Sequence, residues 1–412
     1  MPKYDVAVIG AGLGGLAAAA LLSSRKRKTL VLEQSASLSD ALGVVEKDGF
    51  IFSDGPSLSY GFEHGGALQE FSAGLGIRQN TLVPAPCYQV ALPDRRLTVF
   101  AEHNETLEEL RREFPKEINA VAKFYRELGD AAARSGKNRI FASLAKYRAA
   151  EGFIRTYRFS RELTAFFDVQ SLFFFQKPAA DLSFASLISL CNTPPRRLHG
   201  GFRKFGDQLY GVVLQHGGEV RYNEPSPALS FRDNGTIGIK TVHGVVEADA
   251  LLLNALPHPR RAVLFIGLRD DVVPVGMSHD VLFLPDYSRA QEFLALSLNG
   301  KEDDAAAPQG MRALTLSFCR NQNVRVDKQT IVEQLGRLVP FLNDYLVFSE
   351  EPKSGDGHAV VPADLSIKPY RQRGGASLLC RTSQRNVFVL QDAPESPLQV
   401  ILEVQRFVDK IV

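Results

Sequence analysis

The chain has 412 residues, of which 45% are hydrophobic and 23% are charged, and its formal net charge is +2. This length is sufficient for two domains with sizeable cores. The near balance of charge excludes the strongly basic character of many nucleic-acid-binding proteins, so we expect no nucleic-acid partner. The cysteines occur singly, without the spacing of a metal site, a dithiol or a disulfide framework, and we expect no metal.

The first residues lead directly into an apolar strand, without the arrangement of a signal peptide. The apolar helix that follows the first glycines is too short and too rich in alanine to span a bilayer. We therefore expect a soluble, cytoplasmic protein in a reducing compartment. Peripheral contact with a membrane surface stays open, as does the oligomeric state.

A glycine-rich segment at residues 10–15 follows the first predicted strand and opens an alanine-rich helix. A second strand ends on Glu33, so the G-x-G-x-x-G fingerprint stands in the setting of a dinucleotide-binding unit. Gly10 allows a sharp turn, Gly12 leaves no Cβ to block a pyrophosphate, and Gly15 lets helix and strand approach closely. Glu33 is suited to accept hydrogen bonds from ribose hydroxyls and argues against a 2′-phosphate. This unit alone does not separate FAD from NAD.

The next elements are two β-hairpins, predicted over 43–52 and 88–100, and helices over 65–77 and 106–134. The first hairpin turns at an Asp-Gly pair. Thr106, followed three residues later by a glutamate, predicts a capping box, and Pro115 is expected to interrupt the helix.

Residues 140–191 are predicted to be helical and are rich in phenylalanine. Such a cluster is typical of an ordinary core, and the competing interpretation is a wall for a long apolar substrate. Tyr60 and His64, which follow a predicted compact loop at residues 53–57, are candidate polar groups near a bound ligand.

The C-terminal half alternates strands and helices. The predicted elements are a helix over 204–216, a strand over 220–222, a hairpin over 228–240, a strand over 250–255, antiparallel strands between 279 and 320, a helix over 327–342, a strand over 386–390 and a final helix over 396–412. A chain that opens with a nucleotide unit and closes with strand, turn and helix indicates that both ends belong to one cofactor domain.

Several short motifs occur in a fixed order: V-I-G-A-G-L-G-G-L-A-A-A at 8–19, V-L-E at 31–33, D-G-F at 48–50, D-G-P-S at 54–57, G-G-F at 200–202, G-G-E-V-R at 217–221 and A-D-A-L-L-L-N-A-L-P at 248–257. This series resembles the phytoene desaturase and flavin amine oxidase superfamily, most of all its carotenoid desaturases, and the resemblance covers most of the chain.

The resemblance implies an α/β fold with a Rossmann-like FAD-binding domain formed by residues 1–80, 195–265 and 375–412. A substrate domain of antiparallel sheet plus helices would comprise residues 81–194 and 266–374. The implied cofactor is non-covalent FAD, with Val220 beside the adenine and Asp392 and the last helix facing the flavin. The candidate cofactor-binding residues are Gly10, Gly12, Leu13, Gly14, Gly15, Glu33, Gln34, Gly55, Pro56, Ser57, Val220, Ala255, Asp392 and Leu398.

Two departures from the family pattern stand out. Ser39, Asp40 and Ala41 occupy the place of a Gly-Gly-Arg segment, and Gln391 replaces the glycine of a Gly-Asp pair. They motivate a second hypothesis, that the chain is a non-catalytic relative used for binding or assembly.

The main hypothesis is an FAD-dependent oxidoreductase that desaturates or isomerises a small apolar substrate, for which an isoprenoid is the candidate class. An amine oxidase is a third hypothesis, disfavoured by the lack of tryptophan for an aromatic cage. No second nucleotide fingerprint supports a bound nicotinamide, so electrons would leave to oxygen, a quinone or another carrier. No residue is predicted to be a catalytic acid or base, because the flavin carries the chemistry.

Overall fold

The computed structural model describes residues 1–53, 55–137, 144–145, 148–225, 228–255, 261–299, 306–319, 328–351, 365–372, 375–391 and 397–411. Within them two large sheets are each covered by helices. The helices are α1 (Leu13–Ser24), α2 (Leu38–Ala41), α3 (Ala67–Gly74), α4 (His103–Glu113), α5 (Ile118–Lys137), α6 (Glu151–Arg155), α7 (Arg161–Phe175), α8 (Phe184–Asn192), α9 (Gly201–Gln215), α10 (Lys328–Leu335) and α11 (Pro397–Ile411).

The first sheet has nine strands and runs in the order β10-β2-β1-β13-β21-β20-β19, with a hairpin of β11 and β12 attached to β13. The strands from β10 to β21 are parallel, and β20 and β19 continue the sheet antiparallel. Their bounds are β1 (Lys3–Ile9), β2 (Thr29–Leu32), β10 (Glu219–Arg221), β11 (Ala228–Phe231), β12 (Ile237–Thr241), β13 (Gly244–Ala255), β19 (Ile367–Gln372), β20 (Gly375–Thr382) and β21 (Val387–Gln391).

The second sheet has seven strands in the order β18-β14-β17-β16-β15-β7-β8. All neighbours are antiparallel except β7 and β15, which are parallel. Its strands are β7 (Tyr88–Ala91), β8 (Arg96–Val99), β14 (Arg261–Arg269), β15 (Asp280–Phe283), β16 (Leu294–Leu298), β17 (Met311–Cys319) and β18 (Leu346–Glu350). The mixed α/β fold with a second, sheet-rich part is therefore confirmed.

Two small sheets complete the strands. β3 (Val44–Lys47) and β4 (Phe50–Ser53) form the predicted first hairpin. Asp48 and Gly49 at its turn both have positive φ angles, 49° and 80°, as a type I′ turn requires. The other small sheet joins β5 (Leu58–Ser59), β9 (Arg196–Leu198) and β6 (Thr81–Leu82) in the order β5-β9-β6.

The first sheet is buried on both faces. Val6 and Val8 of β1 contact the core formed with α1, α9 and α11, whereas Ala7 and Ile9 contact the core on the opposite face, beside the β11–β12 hairpin. Alternate residues of a strand face opposite sides, so β1 reads as a continuous apolar run. The alanines of α1 are buried and let this helix lie close to the sheet.

The second sheet also separates two cores. One is built from α4, α5, α7 and α8 against β7 and β15 and contains most of the phenylalanines of residues 114–184. The other lies under α10.

The first sheet takes its strands from three separate stretches of the chain, at residues 3–32, 219–255 and 367–391. The domain boundaries themselves stay a prediction.

The predicted capping box at Thr106 is wrong. α4 begins earlier, at His103, and the Thr106 hydroxyl accepts a hydrogen bond from the Phe100 N–H at 3.0 Å. That hydroxyl fastens the incoming chain to the helix rather than capping its first turn. Pro115 does interrupt the helical stretch, since α4 ends at Glu113 and α5 begins at Ile118.

Candidate functional site

The parallel strands of the first sheet end together at one edge. Ile9 of β1 lies opposite Leu32 of β2 and Leu253 of β13, and Ala255 lies opposite Gln391 of β21. In open α/β sheets ligands bind at this carboxyl edge. The glycine-rich segment follows β1 and Glu33 follows β2, so the fold brings both predicted features to the same edge.

Close contacts at this edge leave no room for a side chain at the glycine positions. A Cβ on Gly15 would lie 2.0 Å from the carbonyl oxygen of Gly10, and Gly10 itself has a φ of 102°. A Cβ on Gly10 would lie 2.9 Å from the carbonyl oxygen of Asn254, and one on Gly14 would lie 2.8 Å from its Oδ1. The end of β13 therefore forms the floor beneath the glycine loop, a role of Asn254 that the sequence prediction did not assign.

The N-terminus of α1 is suited to an anion. Gly12 is its N-cap in an extended conformation, no side chain caps it, and its first turn contains no acidic residue. The first N–H groups of a helix have no intrahelical acceptor and carry the positive end of the helix dipole. Leu13 and Gly14 lie in this first turn, where a pyrophosphate binds in nucleotide-binding folds.

Glu33 is held in place at the start of the next loop and is 6% exposed. One carboxylate oxygen accepts the Ala11 N–H at 2.5 Å and the other accepts the Ser35 N–H at 2.8 Å. A carboxylate offers about four acceptor positions, so the two backbone bonds leave capacity for ribose hydroxyls. The geometry therefore fits an adenosine diphosphate, while Gln34, the next residue, is exposed.

Two residues that the sequence prediction missed adjoin Glu33. The backbone N–H of Glu224 donates to the Glu33 carbonyl at 2.9 Å, and the Glu224 side chain is 2% exposed and accepts the Val242 N–H at 2.9 Å. Burial, with smaller contributions from Tyr210 and the Glu33 charge, raises the pKa of Tyr222 to about 12. Their position within three residues of the end of β10, the strand beside β2, is the only sequence signal for them.

Val220, predicted to lie beside the adenine, is the central residue of β10. It pairs with Val31 of β2 and contacts the core that contains α1. Ala255 ends β13, where the structure describes its backbone. Asp392 lies outside the described residues. The adenine contact of Val220, the cofactor contact of Ala255 and the flavin contact of Asp392 stay predictions.

The loop at residues 55–57 lies between β4 and β5. A Cβ on Gly55 would lie 3.8 Å from the Cβ of Phe202 in α9, and the Ser57 hydroxyl donates to Asp280 of β15. Pro56 stands between them. A Cβ on Gly61 would lie 2.9 Å from Cδ1 of Leu398, so the start of α11 packs against the segment that follows β5.

The aspartate that replaces part of the family's Gly-Gly-Arg segment is accounted for locally. Ser37 caps α2, accepting the Asp40 N–H at 3.2 Å, while its hydroxyl donates to the Asp40 carboxylate at 2.7 Å. Asp40 is exposed. It therefore belongs to a short capped turn on the surface.

The aromatic cluster forms core. Phe124 has ring contacts with Tyr125, Phe153, Tyr157, Phe159 and Phe167 at centroid distances of 5.2 to 5.7 Å. Tyr60 is 3% exposed and its hydroxyl donates to the Leu190 carbonyl at 3.3 Å, whereas His64 is exposed. Tyr60 is thus part of this core.

Among the residues that the structure describes, no group of three or more His, Cys, Asp or Glu side chains is arranged to hold a metal ion. In the same part of the chain, no helix combines the length and the apolar character that crossing a bilayer requires.

Comparison with known proteins places these features in context. Residues 8–75 match the family model of an NAD(P)-binding Rossmann-like domain. The chloroplastic prolycopene isomerase of Daucus carota is 26% identical over 332 residues, which cover 73% of this chain and 53% of that protein. The 4,4'-diapophytoene desaturase (4,4'-diapolycopene-forming) of a Methylomonas species is 23% identical over 274 residues, covering 61% of this chain and 53% of that protein.

Among solved structures, an oxidoreductase from Methanosarcina mazei superimposes with a TM-score of 0.67 at 16% identity, covering 99% of this chain and 100% of that chain. At this identity the likeness shows the fold. The chain spans about half the length of these two curated relatives, since the match covers 53% of each. A dinucleotide-binding unit at the N-terminus is confirmed by the match at residues 8–75.

Proposed function

We propose that this chain, which belongs to the phytoene desaturase and flavin amine oxidase superfamily, binds FAD non-covalently and oxidises or isomerises a small apolar substrate of isoprenoid type. The observation that carries the proposal is the carboxyl edge of the first sheet. There the Gly10–Gly15 contact, the uncapped start of α1 and the buried Glu33 carboxylate adjoin one another.

Each of these residues has a defined task in the proposal. The N–H groups at the start of α1 bind the pyrophosphate, and Gly12 leaves room for it. Glu33 accepts hydrogen bonds from the ribose hydroxyls while its two backbone contacts keep the carboxylate oriented. Residues 55–57 and Leu398 border the flavin side.

The bound flavin supplies the ability to accept a hydride from an activated C–H bond, and the chain supplies position and a dry environment. The second sheet and helices α4, α5, α7 and α8 provide an extensive apolar core beside β5. No side chain is assigned as catalytic acid or base.

The substrate class is inferred from relatives whose names specify carotenoids, prolycopene and 4,4'-diapophytoene. Both are apolar polyenes, and one relative is an isomerase while the other is a desaturase. We extend to this chain the apolar substrate and either reaction. Oxygen, a quinone or another carrier would accept the electrons of a net oxidation.

The test is a visible absorption spectrum of the purified protein together with mass identification of the small molecules released on unfolding. We expect flavin absorbance near one FAD per chain, or uptake of added FAD to that level. A colourless protein that takes up no FAD would refute the proposal and would favour the alternative of a binding or assembly protein.

A further inference from the structure

Three segments that are far apart in the sequence meet at a buried group of charged and polar side chains. The Ser57 hydroxyl donates to one carboxylate oxygen of Asp280, and Nη2 of Arg197 donates to the other. Nη1 of Arg197 lies 2.9 Å from Nδ1 of His279. The side chain of Asp280 is 4% exposed and that of Arg197 is 21% exposed. We call Ser57, Asp280 and Arg197 the polar bridge.

The polar bridge connects different parts of the fold. Ser57 ends the loop before β5, and Arg197 lies in β9 opposite Leu58 of β5. Asp280 is the first residue of β15 and lies opposite Ser297 of β16. The bridge therefore fastens the loop at residues 55–57 to the seven-stranded sheet.

The position of Asp280 is itself fixed. In the turn that precedes it, the Gln89 side chain accepts the Ser278 N–H at 3.2 Å and donates to the Gly276 carbonyl at 3.0 Å. The His279 carbonyl accepts the Leu298 N–H at 2.7 Å. Because its neighbours are held by the sheet, Asp280 offers the loop a rigid anchor.

The charges of the bridge decide how it responds to substitution. A buried carboxylate is costly unless a cation and hydrogen bonds compensate it. Arg197 supplies that cation, and Ser57 supplies a neutral donor from the loop. Removing the hydroxyl leaves the Asp280–Arg197 ion pair intact but releases the loop from the sheet. Ser57→Ala therefore removes only the hydrogen bond between the loop and Asp280 and leaves no unpaired buried charge.

We propose that Asp280 and Arg197 are positioning residues which, through Ser57, hold residues 55–57 against the second sheet, so that this loop forms a fixed wall of the flavin site. The inference rests on the proposed function for the identity of the ligand. The attachment of the loop is a property of the protein without ligand. The attachment and the proposed function can therefore fail separately.

The experiment compares Ser57→Ala with Ser59→Ala as the matched control. Ser59 is also buried, two residues along, but its hydroxyl donates to the neighbouring Tyr60 carbonyl at 2.9 Å and not to the bridge. Amide hydrogen exchange of the peptide that contains Leu58 is measured in the protein without FAD. FAD affinity is measured by titration and the bound flavin by its visible spectrum.

In Ser57→Ala we expect amide exchange to rise about tenfold, since a hydrogen bond to a charged group contributes about that factor. FAD binding should weaken about tenfold by the same reasoning, with a shifted flavin spectrum. Thermal stability without FAD should match that of Ser59→Ala, which should bind FAD like the unaltered protein. Asp280→Asn, which keeps the shape of the carboxylate but not its charge, should also raise exchange.

Equal exchange in the two serine variants would overturn the attachment of the loop. Raised exchange with unchanged FAD affinity and spectrum would overturn the positioning role. If the unaltered protein binds no FAD, the proposed function fails, and the exchange comparison still decides whether the bridge holds the loop. If Asp280→Asn does not fold, the serine pair alone decides.

Discussion

Gly15 has the least space for a side chain among the glycines at the carboxyl edge of the first sheet. Its Cα lies so near the carbonyl of Gly10 that a Cβ would stand 2.0 Å from that oxygen. Gly15→Ala should therefore push α1 away from β1, lower the free energy of unfolding by about 3 kcal/mol and abolish FAD binding. Urea unfolding and FAD titration measure the two effects.

Gly211→Ala is the matched control for Gly15→Ala. Gly211 also lies within a helix, α9, but no atom stands within 4 Å of the position of a Cβ. Alanine there should raise the free energy of unfolding by about 0.5 kcal/mol, because glycine is a poor helix former. Equal effects of the two substitutions would show that the close contact at Gly15 does not exist.

Glu33 provides the second prediction at this scale. In Glu33→Gln the amide group replaces one of the oxygens that accept the Ala11 and Ser35 N–H groups, so one donor faces another donor. Loss of a hydrogen bond to a charged group costs about 1.5 to 3 kcal/mol, and FAD should bind at least about tenfold more weakly. Glu46→Gln, at a side chain 67% exposed, should leave FAD affinity unchanged. Unchanged affinity in Glu33→Gln would remove Glu33 from the site.

What the sequence reveals about residues depends on how local their partners are. Gly10, Gly15 and Glu33 lie within one supersecondary unit, so their spacing was sufficient to predict their shared edge. Ser57 and Asp280 are 223 positions apart, and nothing in either neighbourhood indicates their contact. Consecutive arginines at 196 and 197 suggest a solvated basic face, whereas Arg197 is directed toward a buried carboxylate.

At the scale of elements, the sequence signal for a turn led to a correct prediction, whereas the signal for a helix start did not. The Asp-Gly pair predicted the β3–β4 hairpin because the required φ angles belong to the residues themselves. The signal at Thr106 failed because its hydroxyl has an alternative partner, the Phe100 backbone, that only the packed β8–α4 connection provides. The proposed adenosine end of the site follows local signals of the first kind, while the proposed flavin end depends on tertiary contacts such as that of Leu398 with Gly61.

The core that α4, α5, α7 and α8 form against β7 and β15, which we call the helical core, buries two cysteines, and this leads to a third prediction. Cys87, before β7, and Cys191, in α8, are buried free thiols, and burial raises the pKa of Cys87 to about 11 and that of Cys191 further above its usual value. Because the thiolate is the reactive form, neither should react with a thiol reagent in the folded protein.

A Cys319→Ser background makes this measurement unambiguous, since the remaining thiols, including Cys380, are all buried. The reagent should then react only after denaturant is added. Ala73→Cys in the same background, at an exposed position of α3, is the positive control and should react at once. Rapid reaction of the folded Cys319→Ser protein would contradict the described burial of Cys87, Cys191 or Cys380.

At the scale of the whole molecule, the two sheets are joined by shared contacts. Leu398 at the start of α11 contacts both the core beneath α1 and the helical core, and the polar bridge ties residues 55–57 to β15. The sequence predicts two kinds of sheet, but it does not show that side chains distant in the chain connect them. These connections lead us to expect one cooperative unfolding transition rather than two.

The fourth prediction tests this with a substitution and a ligand placed in different cores. Phe124→Ala removes a buried ring that contacts five aromatic neighbours in the helical core and should cost about 3 to 5 kcal/mol. FAD at one hundred times its dissociation constant should stabilise the folded protein by about 2.7 kcal/mol. If the molecule unfolds as one unit, FAD raises the temperature of the single calorimetric transition of Phe124→Ala, although Phe124 belongs to a different core from the glycine loop. Two transitions, of which FAD moves only one, would show that the contacts at Leu398 and Asp280 do not couple the two parts, and that the nucleotide-binding sheet and the helical core fold independently.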